Sequence, residues 1–567
     1  MGYLENYRYW KTDLFFDEDT RSELSALDEK KDKKVIIDRF YKDLEFGTAG
    51  LRGIMASGTN CLNKYTVGRA TTGLANYLLE AYGADICEKR GVAVAYDTRN
   101  NSEYFARIVA DVLSGKGIKV YLFEKPSPIP ILSYAVRKFK TLTGIVITAS
   151  HNPKQYNGYK VYDNTGCQIT SEMASAVAEK INQIMDYSVI DFECREELVE
   201  MVDLTDEFTN VITSLSRIKD KNVKANLKVV YTPIHGSGYI PVSKVLTADG
   251  FSDLHIVKEQ ALPDGDFPTV SAPNPERRDA LELGIKLAKE IDADIVLGTD
   301  PDSDRVGIAV KFKNDYKLIT GNQIAALLID YLISKLDRKT TPKPIIIKTI
   351  VSSELGEMIA QKHDVSMISV LTGFKYIGEK MNTFEKAKIE GDKNYNYDYL
   401  FGYEESYGYL IGEHARDKDA VVASMLLCEI AADMKSKGRT LIDRLNELYA
   451  EYGYILDFQD NLWLEGKDGA DRILSMMDIL RNSESPFEGT EKIIDYNKGV
   501  IENEGFEALP KADVLKFILS DKSWVAVRPS GTEPKIKIYY SARGKSEDDA
   551  NERLEKLRVS IKTKLGI

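Results

Sequence analysis

The sequence has 567 residues, too many for one hydrophobic core, and its 43% hydrophobic and 29% charged content is typical of folded globular proteins. Its formal net charge of −12 argues against a nucleic-acid partner, because such proteins need a basic face for phosphates. The five cysteines form no CxxC pair, which argues against a disulfide framework and a structural zinc site.

The chain also lacks the signs of a membrane protein. No apolar run approaches the roughly 20 residues that span a bilayer. The first 20 residues are charged and aromatic, unlike a signal peptide. We therefore expect a cytoplasmic protein with no membrane contact.

Short apolar runs alternate with longer amphipathic stretches, which is typical of βαβ units and a parallel sheet. The predicted helices include Asn274–Glu290 and Asp419–Lys437, the second with Asp419 as N-cap and Gly438 after its end. The runs predicted to be strands are Val92–Tyr96, Gly144–Thr148, Leu227–Tyr231, Ile295–Gly298, Ile345–Ile350 and Val525–Val527. Several of these strands end directly in a polar loop, and ligands of open α/β sheets bind outside the carboxyl ends of strands. We therefore expect several domains that each present one loop to a shared cleft.

The first unusual segment is GTAGLRG at Gly47–Gly53. It follows no predicted strand, so its GxxGxxG spacing does not indicate a dinucleotide site. The glycines permit close backbone approach, and Arg52 could clamp an anion. An ordinary turn with the arginine in a surface salt bridge remains the alternative.

The second is TASHNP at Thr148–Pro153, where Ser150 stands at a strand end beside His151. A serine hydroxyl is a poor nucleophile without a base, a metal or covalent activation. The segment is not the GxSxG elbow of hydrolases. Taken alone, a catalytic serine and a simple capping turn are equally open.

The third is DPDSDR, with Asp300, Asp302 and Asp304 at every second position. On an extended segment these carboxylates would point to one side and repel one another unless a cation lay between them. An EF-hand is excluded because Arg305 and Lys311 stand where that loop needs glycine and glutamate. Oxygen ligands beside a phosphate favour magnesium over calcium, so we predict a magnesium site; a solvated acidic turn is the alternative.

Two later segments offer groups for a sugar and a phosphate. GYEESYG at Gly402–Gly408 places paired carboxylates beside a hydroxyl, although Glu-Glu pairs are usually solvated. RPSGTEPK at Arg528–Lys535 supplies a guanidinium, two hydroxyls and a glycine turn, which favours phosphate binding over an ordinary turn.

Together TASHNP, DPDSDR, GYEESYG and RPSGTEPK, with GTAGLRG before them, resemble the α-D-phosphohexomutases in order and spacing. The resemblance runs from about Gly47 to Tyr540 and is strongest to bacterial phosphoglucomutases akin to the phosphoglucomutase-2 and phosphopentomutase group, which also share PNPE at Pro273–Glu276 and RDKDAV at Arg416–Val421. It implies an α/β fold of four domains. Polar or aperiodic segments near Asp203–Asp220, Phe312–Tyr316 and Ala450–Asp457 are the candidate boundaries, which gives domains at residues 1–205, 206–312, 313–450 and 451–567. The first three would be α/β domains of similar topology with mixed sheets, and the last a smaller α+β domain.

The resemblance also implies the roles of individual residues. Ser150 would carry the catalytic phosphoryl group and, with Asp300, Asp302 and Asp304, would bind Mg²⁺, with Arg305 beside the metal. Lys160 would be the general acid or base, with Arg52 and His151 close by. The implied substrate contacts are Thr48, Thr372, Gly373, Lys375, Glu404, Ser406, Lys418, Arg528, Ser530, Gly531 and Thr532.

The activity implied is interconversion of glucose 1-phosphate and glucose 6-phosphate through glucose 1,6-bisphosphate. GYEESYG is closer to the glucose pattern of the family than to its dual mannose/glucose pattern, but mannose and pentose phosphates stay open as substrates. A non-catalytic relative that binds sugar phosphates is the alternative from another class. We expect small sugar phosphates as partners, no nucleic acid, and a monomer or homodimer.

Overall fold

The computed structural model describes residues 2–464, 466–483, 485–530 and 535–567. The chain forms two compact units. The first contains the residues up to Leu318 together with Leu410–Glu429, and the second contains Ile319–Tyr409 and Ile430–Ile567. Within the described ranges, no helix is both long and apolar enough to cross a membrane.

The first domain is built on a six-stranded sheet in the order β1-β5-β4-β2-β3-β6. Three N-terminal helices add an aromatic cluster to its core, with Trp10 stacked on Phe16 at 4.5 Å between ring centroids. The elements are α1 (Tyr3–Thr12), α2 (Glu18–Ser25), α3 (Lys33–Phe40), β1 (Leu51–Ile54), α4 (Lys64–Tyr82), α5 (Ala84–Arg90), β2 (Val92–Tyr96), α6 (Ser102–Gly115), β3 (Val120–Phe123), α7 (Ile129–Phe139), β4 (Thr143–Ile147), β5 (Tyr156–Tyr162), α8 (Ser171–Asn182) and β6 (Val199–Val202).

The second domain is a five-stranded sheet in the order β11-β10-β9-β7-β8. Its elements are α9 (Thr205–Ser214), α10 (Lys221–Ala225), β7 (Lys228–Thr232), α11 (Tyr239–Asp249), β8 (Asp253–Ile256), α12 (Arg278–Ile291), β9 (Ile295–Thr299), β10 (Val306–Phe312) and β11 (Asp315–Ile319).

The third domain is a four-stranded sheet in the order β13-β12-β14-β15. Its elements are α13 (Gly321–Ser334), β12 (Pro344–Thr349), α14 (Leu355–Lys362), β13 (Ser366–Val370), α15 (Phe374–Glu390), β14 (Asp398–Glu404), β15 (Gly408–Leu410), α16 (Ala420–Ser436) and α17 (Leu441–Tyr452).

The fourth domain is a five-stranded sheet in the order β16-β20-β19-β18-β17. Its elements are β16 (Tyr454–Trp463), α18 (Gly466–Arg481), β17 (Thr490–Asp495), β18 (Leu515–Leu519), β19 (Trp524–Pro529), β20 (Lys535–Gly544) and α19 (Glu547–Leu565).

The first three sheets share one arrangement of strands. In each sheet a central strand (β2, β7 or β12) has a parallel neighbour on both sides. The later of these two neighbours in the chain (β4, β9 or β14) is followed by a strand (β5, β10 or β15) that lies on its outer side. The expected similarity of topology is therefore confirmed.

Mixed sheets, as the resemblance implied, are confirmed in the first two domains, although periodicity by itself indicated a parallel sheet. The pairs β4–β5 and β9–β10 are antiparallel, so the first two sheets are mixed. The sheet that contains Val525–Val527 is antiparallel in all four of its pairs. There the connection from β18 to β19 is only a few residues long, which suits a hairpin and cannot carry a parallel crossover.

The two predicted helices differ in how well their starts were placed. Helix α16 begins after Asp419, whose Oδ1 accepts from the amides of Val421 and Val422 at 2.7 and 3.1 Å, as expected of an N-cap. Helix α12 begins at Arg278, four residues later than predicted from Asn274. The Asn274 side chain accepts from the amide of Glu276 at 3.0 Å, which forms a local turn that competes with the helix.

The first half of α16 belongs to the first unit through a buried ionic cluster. The Glu429 carboxylate accepts from the amides of Arg217 and Ile218 at 3.0 and 3.1 Å. The Lys224 ammonium lies 3.0 Å from Glu429 and 2.6 Å from Asp249. Because all of these charged groups are buried, each depends on the others for its hydrogen bonds.

Candidate active site

Ser150 lies in the loop between the antiparallel strands β4 and β5, where its side chain is almost completely buried. Its φ of 51° is in the left-handed region, which is unfavourable for a residue other than glycine. The hydroxyl donates to Asp300 Oδ2 at 2.7 Å, and the His151 Nδ1 lies 3.1 Å away. This backbone conformation thus directs the serine hydroxyl to the acidic loop of the second domain.

The acidic loop follows β9 as a tight turn rather than the extended segment that we expected. The amide of Ser303 donates to the carbonyl of Asp300 at 2.9 Å, and Ser303 has a φ of 52°. Asp300, Asp302 and Asp304 are buried, and one oxygen from each lies within 4.8 Å of the others. The carboxylates therefore converge because the backbone turns, not because alternate residues of a strand share a face.

The same carboxylates fit a hard cation. Burial and the charges of Asp302 and Asp304 raise the pKa of Asp300 well above its usual range. One carboxylate oxygen of Asp302 and one of Asp304 are buried with no hydrogen-bond partner in the part of the chain that the structure describes. Such oxygens are costly unless a ligand satisfies them, and an all-oxygen set is what magnesium or calcium binds.

Two lysines partly offset this negative charge. Lys160 of β5 lies 3.0 Å from Asp302 Oδ2, and Lys418 lies 3.1 Å from Asp304 Oδ2. Burial opposes ionisation of Asp302, but the Lys160 and Lys418 ammonium groups and the hydrogen bond to Asp300 together outweigh it and lower the pKa of Asp302. Lys418 was predicted to contact the substrate, and the structure places its ammonium at the acidic loop and 3.0 Å from Asp417 Oδ1.

Arg305 ends the acidic loop and is held by the PNPE segment. Its Nη1 lies 2.8 Å from Glu276 Oε1. The segment packs closely on β10, since a Cβ on Gly307 would lie 2.0 Å from the carbonyl oxygen of Pro275. Glycine at this position therefore allows PNPE to reach the arginine beside the acidic loop.

The loop after β7, TPIHGSG at Thr232–Gly238, packs against the acidic loop. A Cβ on Gly236 would lie 2.7 Å from Pro301 Cα, and one on Gly238 would lie 2.5 Å from Ser303 Oγ. The amide and hydroxyl of Ser237 both donate to the carbonyl of Pro301, at 2.9 and 2.7 Å. This motif, one of the polar loops that directly follow a predicted strand, thus holds the turn of the carboxylates.

The GTAGLRG segment lies beside β5. Arg52 is in β1, opposite Gly158 of β5, and Thr48 is half-buried in the preceding turn. Gly50 has a φ of 72°, and a Cβ there would lie 1.8 Å from the carbonyl oxygen of Tyr159, the neighbour of Lys160. The glycine is therefore required by both conformation and space.

In the second unit, four predicted residues form a chain of contacts. Arg528, at the end of β19, donates to the hydroxyl of Thr372. The adjacent Gly373 donates its amide to Glu404 Oε1 at 3.0 Å, and Glu404 ends β14. A guanidinium and a carboxylate thus lie on either side of the Thr372–Gly373 turn.

The remaining predictions in this unit are placed less fully. Lys375 is in the first turn of α15, with its ammonium 4.9 Å from the ring centroid of Tyr376. Ser406 and Ser530 are half-buried. Gly531 and Thr532 lie outside the described residues.

Asp97 and Arg99, which follow β2, were not among the predicted site residues. The Arg99 guanidinium is buried against Asp97 and donates to backbone carbonyls of the serine loop. The Thr148 hydroxyl donates to Asp97 Oδ2 at 2.6 Å and accepts from the amide of Ser150 at 2.8 Å. The signal was present in the sequence, because DTRN follows a predicted strand as directly as the other loops do.

Comparisons with known proteins agree with this arrangement of domains. Four sequence profiles of phosphoglucomutase/phosphomannomutase match in order: alpha/beta/alpha domain I at residues 43–188, domain II at 206–313, domain III at 320–452 and the C-terminal domain at 485–558. The chain belongs to the phosphoglucomutase/phosphomannomutase family. It is therefore an enzyme, an intramolecular phosphotransferase.

Individual members of the family are similar over most of their length. A phosphoglucomutase of Staphylococcus haemolyticus is 37% identical over 515 residues, which cover 88% of this chain and 91% of that protein. One from Staphylococcus aureus is 34% identical over 535 residues, covering 92% and 93%.

Solved structures of the family share the fold. The open form of the Paramecium phosphoglucomutase parafusin aligns with a TM-score of 0.68 at 17% identity, covering 93% of this chain and 96% of that one. A phosphoglucomutase/phosphomannomutase family protein from Burkholderia thailandensis aligns with a TM-score of 0.66 at 18% identity, covering 92% and 97%.

Proposed function

We propose that this enzyme is a magnesium-dependent phosphoglucomutase that carries its phosphoryl group on Ser150. The observation that supports the proposal most directly is the 2.7 Å contact between Ser150 Oγ and Asp300 in a buried group of three carboxylates. A serine that faces several carboxylates is a poor place for a phosphate unless a cation is also bound there. A divalent cation bound between the carboxylates and a phosphoserine would offset the negative charge of both groups.

Asp300, Asp302 and Asp304, with an oxygen of phosphoserine, would hold Mg²⁺. When bound, the ion neutralises charge on the transferred phosphoryl group and orients its oxygens. The two carboxylate oxygens that accept no hydrogen bond from the described residues support this assignment. The boundaries of the four domains and the roles of the individual site residues are part of the same proposal.

In the proposed reaction, the bond between phosphorus and Ser150 Oγ breaks while a bond forms to the free hydroxyl of a hexose monophosphate. Lys160, in its neutral amine form, accepts the proton that the hydroxyl loses, and Arg52 and Arg305 bind the phosphoryl oxygens. His151, with Nδ1 at 3.1 Å from Ser150 Oγ, is placed to return a proton to the serine. Glucose 1,6-bisphosphate is the intermediate, and it also rephosphorylates enzyme that has lost its phosphoryl group.

The bisphosphate must then turn around, so each phosphate in turn occupies the same distal site. We assign that site to Arg528 and Ser530, with Gly531 and Thr532 assigned by resemblance only. The sugar hydroxyls are assigned to Glu404 and Ser406, with Thr372, Gly373 and Lys375 next to them. Thr48 and Lys418 complete the proposed substrate contacts.

Glucose phosphate is the favoured substrate for two reasons. The GYEESYG segment follows the glucose pattern of the family, and the Staphylococcus relatives are named phosphoglucomutases. A coupled assay that compares kcat/KM for the 1-phosphates of glucose, mannose and ribose tests the preference. A higher kcat/KM for mannose or ribose would overturn it.

The phosphoserine itself can be tested by mass. After incubation with glucose 1,6-bisphosphate, wild-type protein should gain one phosphoryl group on Ser150, and Ser150→Ala should gain none. Turnover of Ser150→Ala should fall by up to about 10⁶-fold, as expected when a covalent nucleophile is lost. Ser214→Ala, which changes an exposed serine at the end of α9, is the matched control. Wild-type protein that carries no phosphoryl group before or after the incubation would overturn the phosphoserine assignment.

A further inference from the structure

Arg99 is a buried cation that the proposed chemistry does not use. It follows β2 in the segment Asp97-Thr98-Arg99, and the side chains of Asp97 and Arg99 are both completely buried. The Arg99 Nε lies 3.3 Å from Asp97 Oδ2, and the Arg99 amide donates to Asp97 Oδ1 at 2.9 Å. The Nε makes no hydrogen bond within the described residues. A buried arginine is costly, so its Nη groups must find acceptors.

Those acceptors all belong to the serine loop and the start of β5. The Arg99 Nη1 donates to the carbonyls of Pro153 and Tyr156, each at 3.1 Å. Its Nη2 donates to the carbonyls of Ser150 and Asn152. One guanidinium therefore gathers four carbonyls of a loop that has few ladder hydrogen bonds of its own.

The second domain covers this guanidinium. The ring centroid of Phe267 lies 5.1 Å from Arg99 Cζ, and Phe267 has a left-handed φ of 46°. Two residues before Phe267, the same loop packs against the residue that follows Arg99, since a Cβ on Gly265 would lie 2.3 Å from the amide nitrogen of Asn100. Arg99 is thus enclosed between the loop that bears the nucleophile and the domain that bears the carboxylates.

We infer that Arg99 is a positioning residue that fixes the Ser150 Oγ against the acidic loop by holding the backbone of the serine loop. The inference rests on the proposed role of Ser150. Ser150 has an unfavourable φ, so the loop needs an external constraint to keep that conformation. The planar fork of a guanidinium can bind four carbonyls at once, whereas a lysine ammonium has only three donors and no fixed plane.

The test measures the chemical step separately from stability. Wild-type, Arg99→Lys and Arg99→Met enzymes are first phosphorylated with glucose 1,6-bisphosphate. Transfer from phosphoserine to glucose 1-phosphate is then followed in a single turnover by rapid quench, with hydrolysis of the phosphoenzyme measured without sugar. We expect both variants to transfer about 100-fold more slowly than wild type, because a displacement of about 1 Å has that effect. KM for glucose 1-phosphate should change less than threefold, since Arg99 does not contact the substrate.

Arg69→Met is the matched control. Arg69 of α4 is also a buried arginine that donates to a backbone carbonyl, that of Ile184 at 2.9 Å, and pairs with an aspartate, Asp43. Its loss should lower thermal stability while the transfer rate of the folded protein stays at the wild-type value. A merely structural role for Arg99 would give the same result as Arg69.

The outcomes separate the two proposals. If wild-type protein takes up no phosphoryl group on Ser150, the proposed function fails. If wild type is phosphorylated and Arg99→Lys transfers within threefold of its rate, the inference about Arg99 is wrong. If neither arginine variant folds, Phe267→Leu removes the covering ring but keeps the guanidinium. Slower transfer in that variant would support the inference, and an unchanged rate would overturn it.

Discussion

The Nη1 atom of Arg305 lies 2.8 Å from Oε1 of Glu276, so the arginine that ends the acidic loop is oriented by the PNPE segment. We expect Glu276→Gln to lower kcat about tenfold with little change in KM, because the orientation of Arg305 matters chiefly in the transition state. Steady-state kinetics would show this. Glu282→Gln, on the exposed face of α12, is the control. A loss confined to KM would contradict this role.

Asp302→Asn should weaken magnesium binding and turnover together. The substitution removes one of the three negative charges of the acidic loop. It also removes the charged partner of Lys160. Isothermal titration with Mg²⁺ measures the affinity directly, and the assay at limiting Mg²⁺ measures its consequence. Asp292→Asn, which changes an exposed aspartate, should leave both unchanged. Calcium should bind but support little turnover, because its looser geometry positions phosphoryl oxygens poorly.

Arg528→Ala should lower kcat/KM by about 30- to 1000-fold through loss of a guanidinium–phosphate contact worth roughly 2–4 kcal/mol. Both kcat and KM should suffer, since remote binding energy also positions the reacting centre. The loss should be similar for glucose and mannose phosphates, because the phosphate is common to both substrates.

Glu404→Gln should instead change the ratio of kcat/KM between glucose and mannose phosphates, because it removes a charged acceptor from the sugar hydroxyls. The same assay with both substrates measures that ratio. If Arg528→Ala altered the ratio and Glu404→Gln did not, the roles of the two loops would be exchanged.

Gly50→Ala should be far more damaging than Gly47→Ala in the same segment. A Cβ on Gly50 would overlap the carbonyl oxygen of Tyr159, whereas a Cβ on Gly47 would meet nothing within 4 Å. We expect Gly50→Ala to lose more than 1 kcal/mol of stability, roughly the cost of a left-handed alanine, and most of its activity. Thermal unfolding and kcat measure the two effects. Equal stability and kcat of the two variants would show that the backbone of β5 at Tyr159 can move to accommodate the Cβ.

The position of the candidate site was predictable because several of its loops directly follow apolar strands, as TASHNP and DPDSDR do. Its geometry was not. The tight turn at Asp300 depends on the left-handed φ of Ser303, and no residue pattern in the sequence predicted that conformation. The contact of Lys418 with Asp304 joins distant segments, and only tertiary packing brings them together. The antiparallel sheet around Val525 depended on loop length rather than on hydrophobic period.

Because Leu410–Glu429 belongs to the first unit, that unit cannot finish folding until this late segment of the chain has been synthesised. When the ribosome has released the first 318 residues, Lys224 and Asp249 are present but Glu429 has not been made. Domains generally fold as they emerge, yet this unit must wait for more than a hundred further residues before Glu429 can join the Lys224–Asp249 pair and accept from the amides of Arg217 and Ile218. A nascent chain stalled before residue 410 should accordingly remain sensitive to protease, and one stalled well beyond 429 should become resistant.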